Sequence, residues 1–121
     1  MKLSLKRKEE EVEIEDENGT IKHYFLREML GEQRDKFLNV VAGRFKYGED
    51  GKAKGRDFTG QYSDLLGFCL YDSVTKTLVP PKVIQTWPAS VQKALHRAAE
   101  KINGFNEDAE EAAKNESPAN G

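Results

Sequence analysis

The side chains able to do chemistry are few and scattered. His23 and His96 are the only histidines, Cys69 is the only cysteine, and Ser63 and Ser73 are nucleophile candidates by residue type alone. A hydrolytic triad needs a histidine beside the nucleophile and a carboxylate to orient it, and no nucleophile-elbow motif surrounds either serine. His96 reads as a helix-face residue at the edge of the core. His23 falls on the expected apolar face of a strand, where packing or a partner contact suits it better than ligation. Cys69 lies in the apolar run LLGFCLY, so its thiol reads as a small buried hydrophobe. Without a second cysteine the chain has no internal disulfide and no cysteine pair for zinc.

Two charge clusters invite a functional reading. Glu9 to Glu17 is dense in carboxylates, yet EVEIE alternates strictly, which puts Glu11, Glu13 and Glu15 on the solvated face of a strand. No calcium-loop pattern accompanies them, and negative charge on an edge strand discourages aggregation. Arg44 and the segment KYGEDGKAKGRD (46–57), with Lys46, Lys52, Lys54 and Arg56, lie near Phe45 and Tyr47, the ingredients for phosphate contact and base stacking. Glu49, Asp50 and Asp57 dilute that charge, and the lysine–serine/threonine ending of a phosphate loop is missing. The segment reads as a flexible loop better suited to a protein partner.

The elements follow from periodicity. Asn18-Gly19 is a strong hairpin signal, and pairing outward from it sets Ile14 opposite His23 and Val12 opposite Phe25. The expected apolar face is Val12, Ile14, Ile21 and Phe25, with Leu3 and Leu5 extending the first strand. From Leu30 the period becomes helical through Phe37, Leu38, Val41 and Phe45, weakening at Gly43. A second helix is expected over Phe58–Asp72, with Thr59 as N-cap. Polar turn residues follow to Thr77, and Pro80-Pro81 then starts a short turn holding Val83, Ile84 and Trp87. Pro88 opens a last helix whose apolar face is Val91, Leu95, Ala98, Ala99 and Ile102, and Asn103-Gly104 ends it. This predicts an α+β fold, an N-terminal β-hairpin packed on about three helices. Residues 1–105 form its single domain, and 106–121 read as a disordered acidic tail.

Charged residues are 33% and apolar ones 37% of the 121 residues, so the core is modest. A domain this size hides roughly 60–70% of its unfolded surface. A net charge of -2 gives no global pull toward nucleic acid or membrane. No apolar window approaches the ~20 residues of a membrane span, and a protein of a reducing cytoplasm is expected.

The segments 24–39 and 65–104 together resemble the tail assembly chaperones of long-tailed phages. The shared features are the step Leu26-Arg27-Glu28, then Glu32, Arg34, Asp35 and Phe37, then Leu65, Leu66, Cys69, Leu70 and Asp72, and last Trp87-Pro88 through Asn103-Gly104. The basic, glycine-rich segment 46–57 departs from that pattern. The resemblance implies a non-enzymatic protein of the host cytoplasm that needs no cofactor. It would bind the tape measure protein, help recruit tail tube subunits, and be left out of the finished virion. It also implies self-association in some members and a longer form made by frameshifting, for which Ala113-Lys114-Asn115 would supply a slippery heptamer if encoded GCA AAA AAC. Arg34, Phe37, Tyr47, Trp87 and His96 are the expected partner contacts, with Phe37 and Trp87 equally readable as core. Two other readings stay open: a completion or connector component of the tail, and a nucleic-acid-binding regulator using segment 44–56.

Overall fold

A computed structural model describes residues 1–47, 49–56 and 60–105. Strands β1 (Glu9–Glu15) and β2 (Ile21–Arg27) form an antiparallel hairpin, and helix α1 (Gly31–Gly43) follows. A small β3–β4 hairpin (Phe45–Tyr47, Ala53–Arg56) comes next, then α2 (Gln61–Cys69), which runs directly into β5 (Leu70–Asp72). The short α3 (Pro81–Ile84) and the long α4 (Ala89–Ile102) complete an α+β fold. The main sheet has the order β1-β2-β5.

The hairpin forms where expected, but its register is one residue away. Val12 opposes Tyr24, Ile14 opposes Lys22 and Glu15 opposes Ile21. The cause is Asp16. Its carboxylate accepts from the backbone N–H groups of Asn18 and Thr20, both at 2.9 Å, and its own N–H donates to the Thr20 carbonyl at 2.9 Å. The loop is therefore Glu17-Asn18-Gly19, and only Gly19, at φ 82°, is left-handed. A two-residue turn would need positive φ at both central positions. A one-residue slip moves alternate side chains to the opposite face. Val12, Ile14, Tyr24 and the fully buried Leu26 thus face the core, while Ile21, His23 and Phe25 join the glutamates outside.

Leu3 and Leu5 do not extend β1, and both are almost wholly exposed. Past the bond from Glu28 N–H to the Lys8 carbonyl, β2 gives way to α1, so residues 1–6 have no partner strand. Arg7 anchors the junction, with Nε donating to the Glu28 carbonyl at 2.7 Å and Nη2 to Gln33 Oε1 at 3.1 Å.

Three further expectations change. Segment 46–57 contains β-structure instead of an open loop, with Phe45 opposite Arg56 and Lys46 opposite Gly55; Gly51, at φ 79°, makes the turn. Phe45 accordingly belongs to β3 and not to α1. The second helix stops at Cys69 because Leu70, Tyr71 and Asp72 pair with Leu26, Phe25 and Tyr24, satisfying the second edge of β2, and tertiary pairing overrides local propensity. Thr59, the expected N-cap, and the tail 106–121 lie outside the described residues.

The core is built from Leu26, Leu65, Leu66, Cys69, Leu70, Ile84 and Ala99, each with no exposed surface. The expected face of α4 is the observed one: Leu95 and Ala99 are buried and Val91, Ala98 and Ile102 pack at the margin. Gly67 lets α3 approach α2, since a Cβ there would stand 2.7 Å from Pro81 Cγ.

Asn103 does more than stop α4. Its Oδ1 accepts from the Met29 N–H at 2.8 Å, and its Nδ2 donates to the Ala99 carbonyl at 2.8 Å and to Cys69 Sγ at 3.4 Å. One amide thereby joins the exit of β2, the end of α2 and the end of α4. Asn103→Ala leaves the Met29 N–H without its partner, a loss of about 1–3 kcal/mol, read as a lower denaturation midpoint with an unchanged m-value.

Candidate partner-binding surfaces

The expected contact residues fall into separate clusters. Phe37 is buried; its ring stacks on Phe105 at 5.7 Å and meets Phe68 edge-on at 6.4 Å. Arg34 lies over the other partner of that stack, its guanidinium carbon 5.5 Å from the Phe105 centroid. Trp87 packs edge-to-face on Tyr24 at 5.5 Å, beneath the sheet. His96 sits 3.2 Å from the Glu100 carboxylate, one helical turn on, and 5.1 Å from the Tyr62 ring. Tyr47 ends β3, and its side chain lies outside the described residues. Arg34 and Phe37 share a cluster, through Phe105.

Of the two serine candidates, Ser63 has a structural role. Ser63 is buried; its hydroxyl donates to the Gly60 carbonyl at 3.2 Å and accepts from Gln85 Nε2 at 3.0 Å. Beside it, Arg44 grips Asp64 through two bonds of 2.6 and 2.7 Å, tying the end of α1 to the first turn of α2. His23 and Ser73 do come close, but through the backbone, Ser73 N–H to the His23 carbonyl at 3.1 Å. The imidazole Nδ1 is 3.9 Å from Glu13, beyond hydrogen-bond reach. Among the described residues no cluster of three or more His, Cys, Asp or Glu converges to hold a metal.

Two of the open surfaces among the described residues border the sheet and carry apolar side chains. The outer face of the sheet is a depression of about 730 Å³, lined by Glu9, Glu11, Glu13, His23, Phe25, Arg27, Tyr71, Ser73 and Lys76 among others. At its centre Phe25 and Tyr71 stack nearly parallel, 5.0 Å apart at 6°. The Lys76 ammonium lies 5.4 Å from the Phe25 centroid, held there by a backbone at φ 60°, and Arg27 Nε pairs with Glu9 at 3.0 Å. This is an aromatic platform inside a charged rim. The expected hairpin register concealed it by turning Phe25 inward; Asp16, an Asx-turn former two residues before Asn18, was the signal for the longer loop.

The second surface runs between the outer edge of β1 and α4. One stretch, about 350 Å³, is lined by Val12, Ile14, Val91, Ala94 and Leu95 among others. A second, about 430 Å³, continues toward Ala98, Lys101 and Ile102.

No helix among the described residues is long and apolar enough to cross a membrane. No family model, curated protein or solved structure matches this chain.

Burial pushes the Cys69 thiol up to about 11 from 9.0, against smaller opposing effects of the Asn103 amide and the Arg7 charge. The folded chain therefore holds this proton to higher pH than the unfolded one. The associated stability is whole below pH 9 and is lost as pH rises toward 11. Tyr24, raised by burial and then by Asp72, acts in the same direction. Thermal melts should fall across that window. At neutral pH a thiol reagent should modify Cys69 at the rate of unfolding, and rapid labelling of the folded chain would contradict its burial.

Proposed function

We propose that this chain is a non-enzymatic tail assembly chaperone that holds helical stretches of a phage tape measure protein in soluble form. In this reading it helps bring tail tube subunits to the tape measure and acts in the host cytoplasm before the particle is complete. The observation that carries the proposal is the outer face of the sheet, left uncovered by the described residues. Specific protein interfaces combine an aromatic centre with a polar rim, and the Phe25–Tyr71 stack bordered by glutamates, Arg27 and Lys76 has that composition. An amphipathic helix can lay its apolar stripe over the two rings and offer basic residues to the β1 row. The rim of both charge signs suits reversible cover of a long partner, because rim ion pairs contribute little affinity individually.

The resemblance to tail assembly chaperones supports the same reading and gains a physical meaning. Leu26 and Glu28 fix the exit from the sheet, one by burial and one through the Arg7 and Lys8 contacts. Arg34 and Phe37 gather around Phe105. Apart from Arg27, which lines the open face, these shared residues build the frame, on the other side of the sheet from the proposed binding surface.

Co-expression with the tape measure protein of the same genome tests the proposal. The tape measure should be insoluble alone and co-purify with this chain. Phe25→Ala with Tyr71→Ala should cut recovery about tenfold, equivalent to about 1.4 kcal/mol, while leaving the melting curve of the chaperone cooperative. Finding the chain at stoichiometric level in purified particles would contradict the chaperone role and favour a structural component of the tail.

A further inference from the structure

The groove between β1 and α4 and the arm that precedes β1 fit each other, though they cannot meet within one chain. The arm alternates Lys2, Ser4 and Lys6 with Leu3 and Leu5, and both leucines stand in solvent. On β1 the alternation is complementary: Glu11, Glu13 and Glu15 point outward, while Val12 and Ile14 line the groove against α4. Among the described residues β1 pairs only with β2.

The backbone of β1 is poised for a further strand. Lys8 and Asp16 bond toward β2, at Glu28 and Thr20. Hydrogen-bonding direction alternates along an antiparallel strand. The N–H and C=O groups of Glu9, Glu11, Glu13 and Glu15 therefore face the unpaired edge.

We propose that the arm of one copy adds as a strand to β1 of a second copy. The pairing is antiparallel, with Lys2 beside Glu15, Ser4 beside Glu13 and Lys6 beside Glu11. Leu3 and Leu5 then lie beside Ile14 and Val12 and drop into the groove toward Val91 and Ala94. Each lysine meets a glutamate and each leucine meets an aliphatic side chain, in one register. Residues 1–6 lie outside β1; with a half-turn of the chain at Arg7-Lys8, which brings the backbone groups of Lys2, Ser4 and Lys6 to the partner's edge, the same register about a two-fold axis seats both arms and the contact closes as a dimer.

The occupant must come from another chain. Residues 2–6 enter β1 through Arg7-Lys8, and Arg7 is already fastened to Glu28 and Gln33. In that register only Arg7, Lys8, Glu9 and Glu10 lie between the arm and Glu11, and Lys8 to Glu10 are already held against β2, so folding back would break that pairing to make the turn. The segment 106–121 is a poor rival, since Glu107, Asp108, Glu110, Glu111 and Glu116 would stand against the β1 carboxylates. Those carboxylates also repel acidic or uncharged strands from the edge, and the lysines of the arm relieve that repulsion. The edge is closed to general pairing and open to its own arm.

Sedimentation velocity and light scattering on the full chain test this at low and high ionic strength. The wild type should show a concentration-dependent mass of twice 13.7 kDa at low salt, returning toward the single-chain value as salt screens the pairs. Leu3→Asp with Leu5→Asp, and separately Lys2→Glu with Lys6→Glu, should halve the mass and keep a cooperative melt, lowered only by the stabilisation that association lends the wild type, because the arm lies outside the core. Adding Glu11→Lys and Glu15→Lys to the second variant should restore the dimer. A wild type that stays at 13.7 kDa throughout, arm variants that keep the wild-type mass, or a charge-exchanged chain that stays single would each overturn the proposal.

Discussion

The carboxylate of Asp16 sets the geometry on which the rest of this molecule depends. By accepting two backbone N–H groups it closes a three-residue loop, and that loop decides which side chains of β2 face the helices. Leu26 and Tyr24 enter the core as a result, and Phe25 emerges beside Tyr71. Had the loop been one residue shorter, Phe25 would compete for the space that Leu26 fills and the outer face would lose its platform. A single hydrogen-bonding side chain at the tip of a hairpin thus divides the molecule into a packed side and an open one.

Two polar ties then lock the packed side. Arg7 binds the exit of β2 to the start of α1, and Asn103 binds the same exit to α2 and α4. Buried amides and guanidinium groups are stabilising only when their partners are in place, so these ties specify position as much as they add stability. Arg44 and Asp64 do the same at the opposite end of α1. With the frame held from both ends, the open sheet face and the β1 edge can stay unpaired without loosening the core.

The parts legible in the sequence were those governed by local periodicity. The apolar stripe of α4, the Gly43 end of α1, the turn after Asp72 and the existence of the first hairpin all follow from spacing and turn chemistry. The register did not follow, because Asn18-Gly19 satisfies two loop lengths and only the Asp16 bonds choose between them. The helix-to-strand switch at Leu70 was hidden inside the uniform apolar run LLGFCLY, since the demand for a strand comes from β2, more than forty residues earlier. The roles of Arg7 and Asn103 were hidden too, the second joining residues 74 apart in sequence. Of the expected contacts, Phe37 is core, Arg34 joins it through Phe105, and Trp87 and His96 lie apart, whereas Phe25, Tyr71 and Lys76 converge on the open face. That convergence is a property of the sheet and not of any single segment.

The central claim is that a partner helix lies across the outer face of the sheet. Titrating an isotopically labelled chain with a helical segment of the tape measure protein, and following amide and aromatic NMR shifts, tests it most directly. The account predicts that the largest changes fall on His23, Phe25, Tyr71 and Lys76, with the α4 amides little affected. Changes concentrated on α1 or on the β3–β4 hairpin, with Phe25 and Tyr71 unmoved, would contradict it.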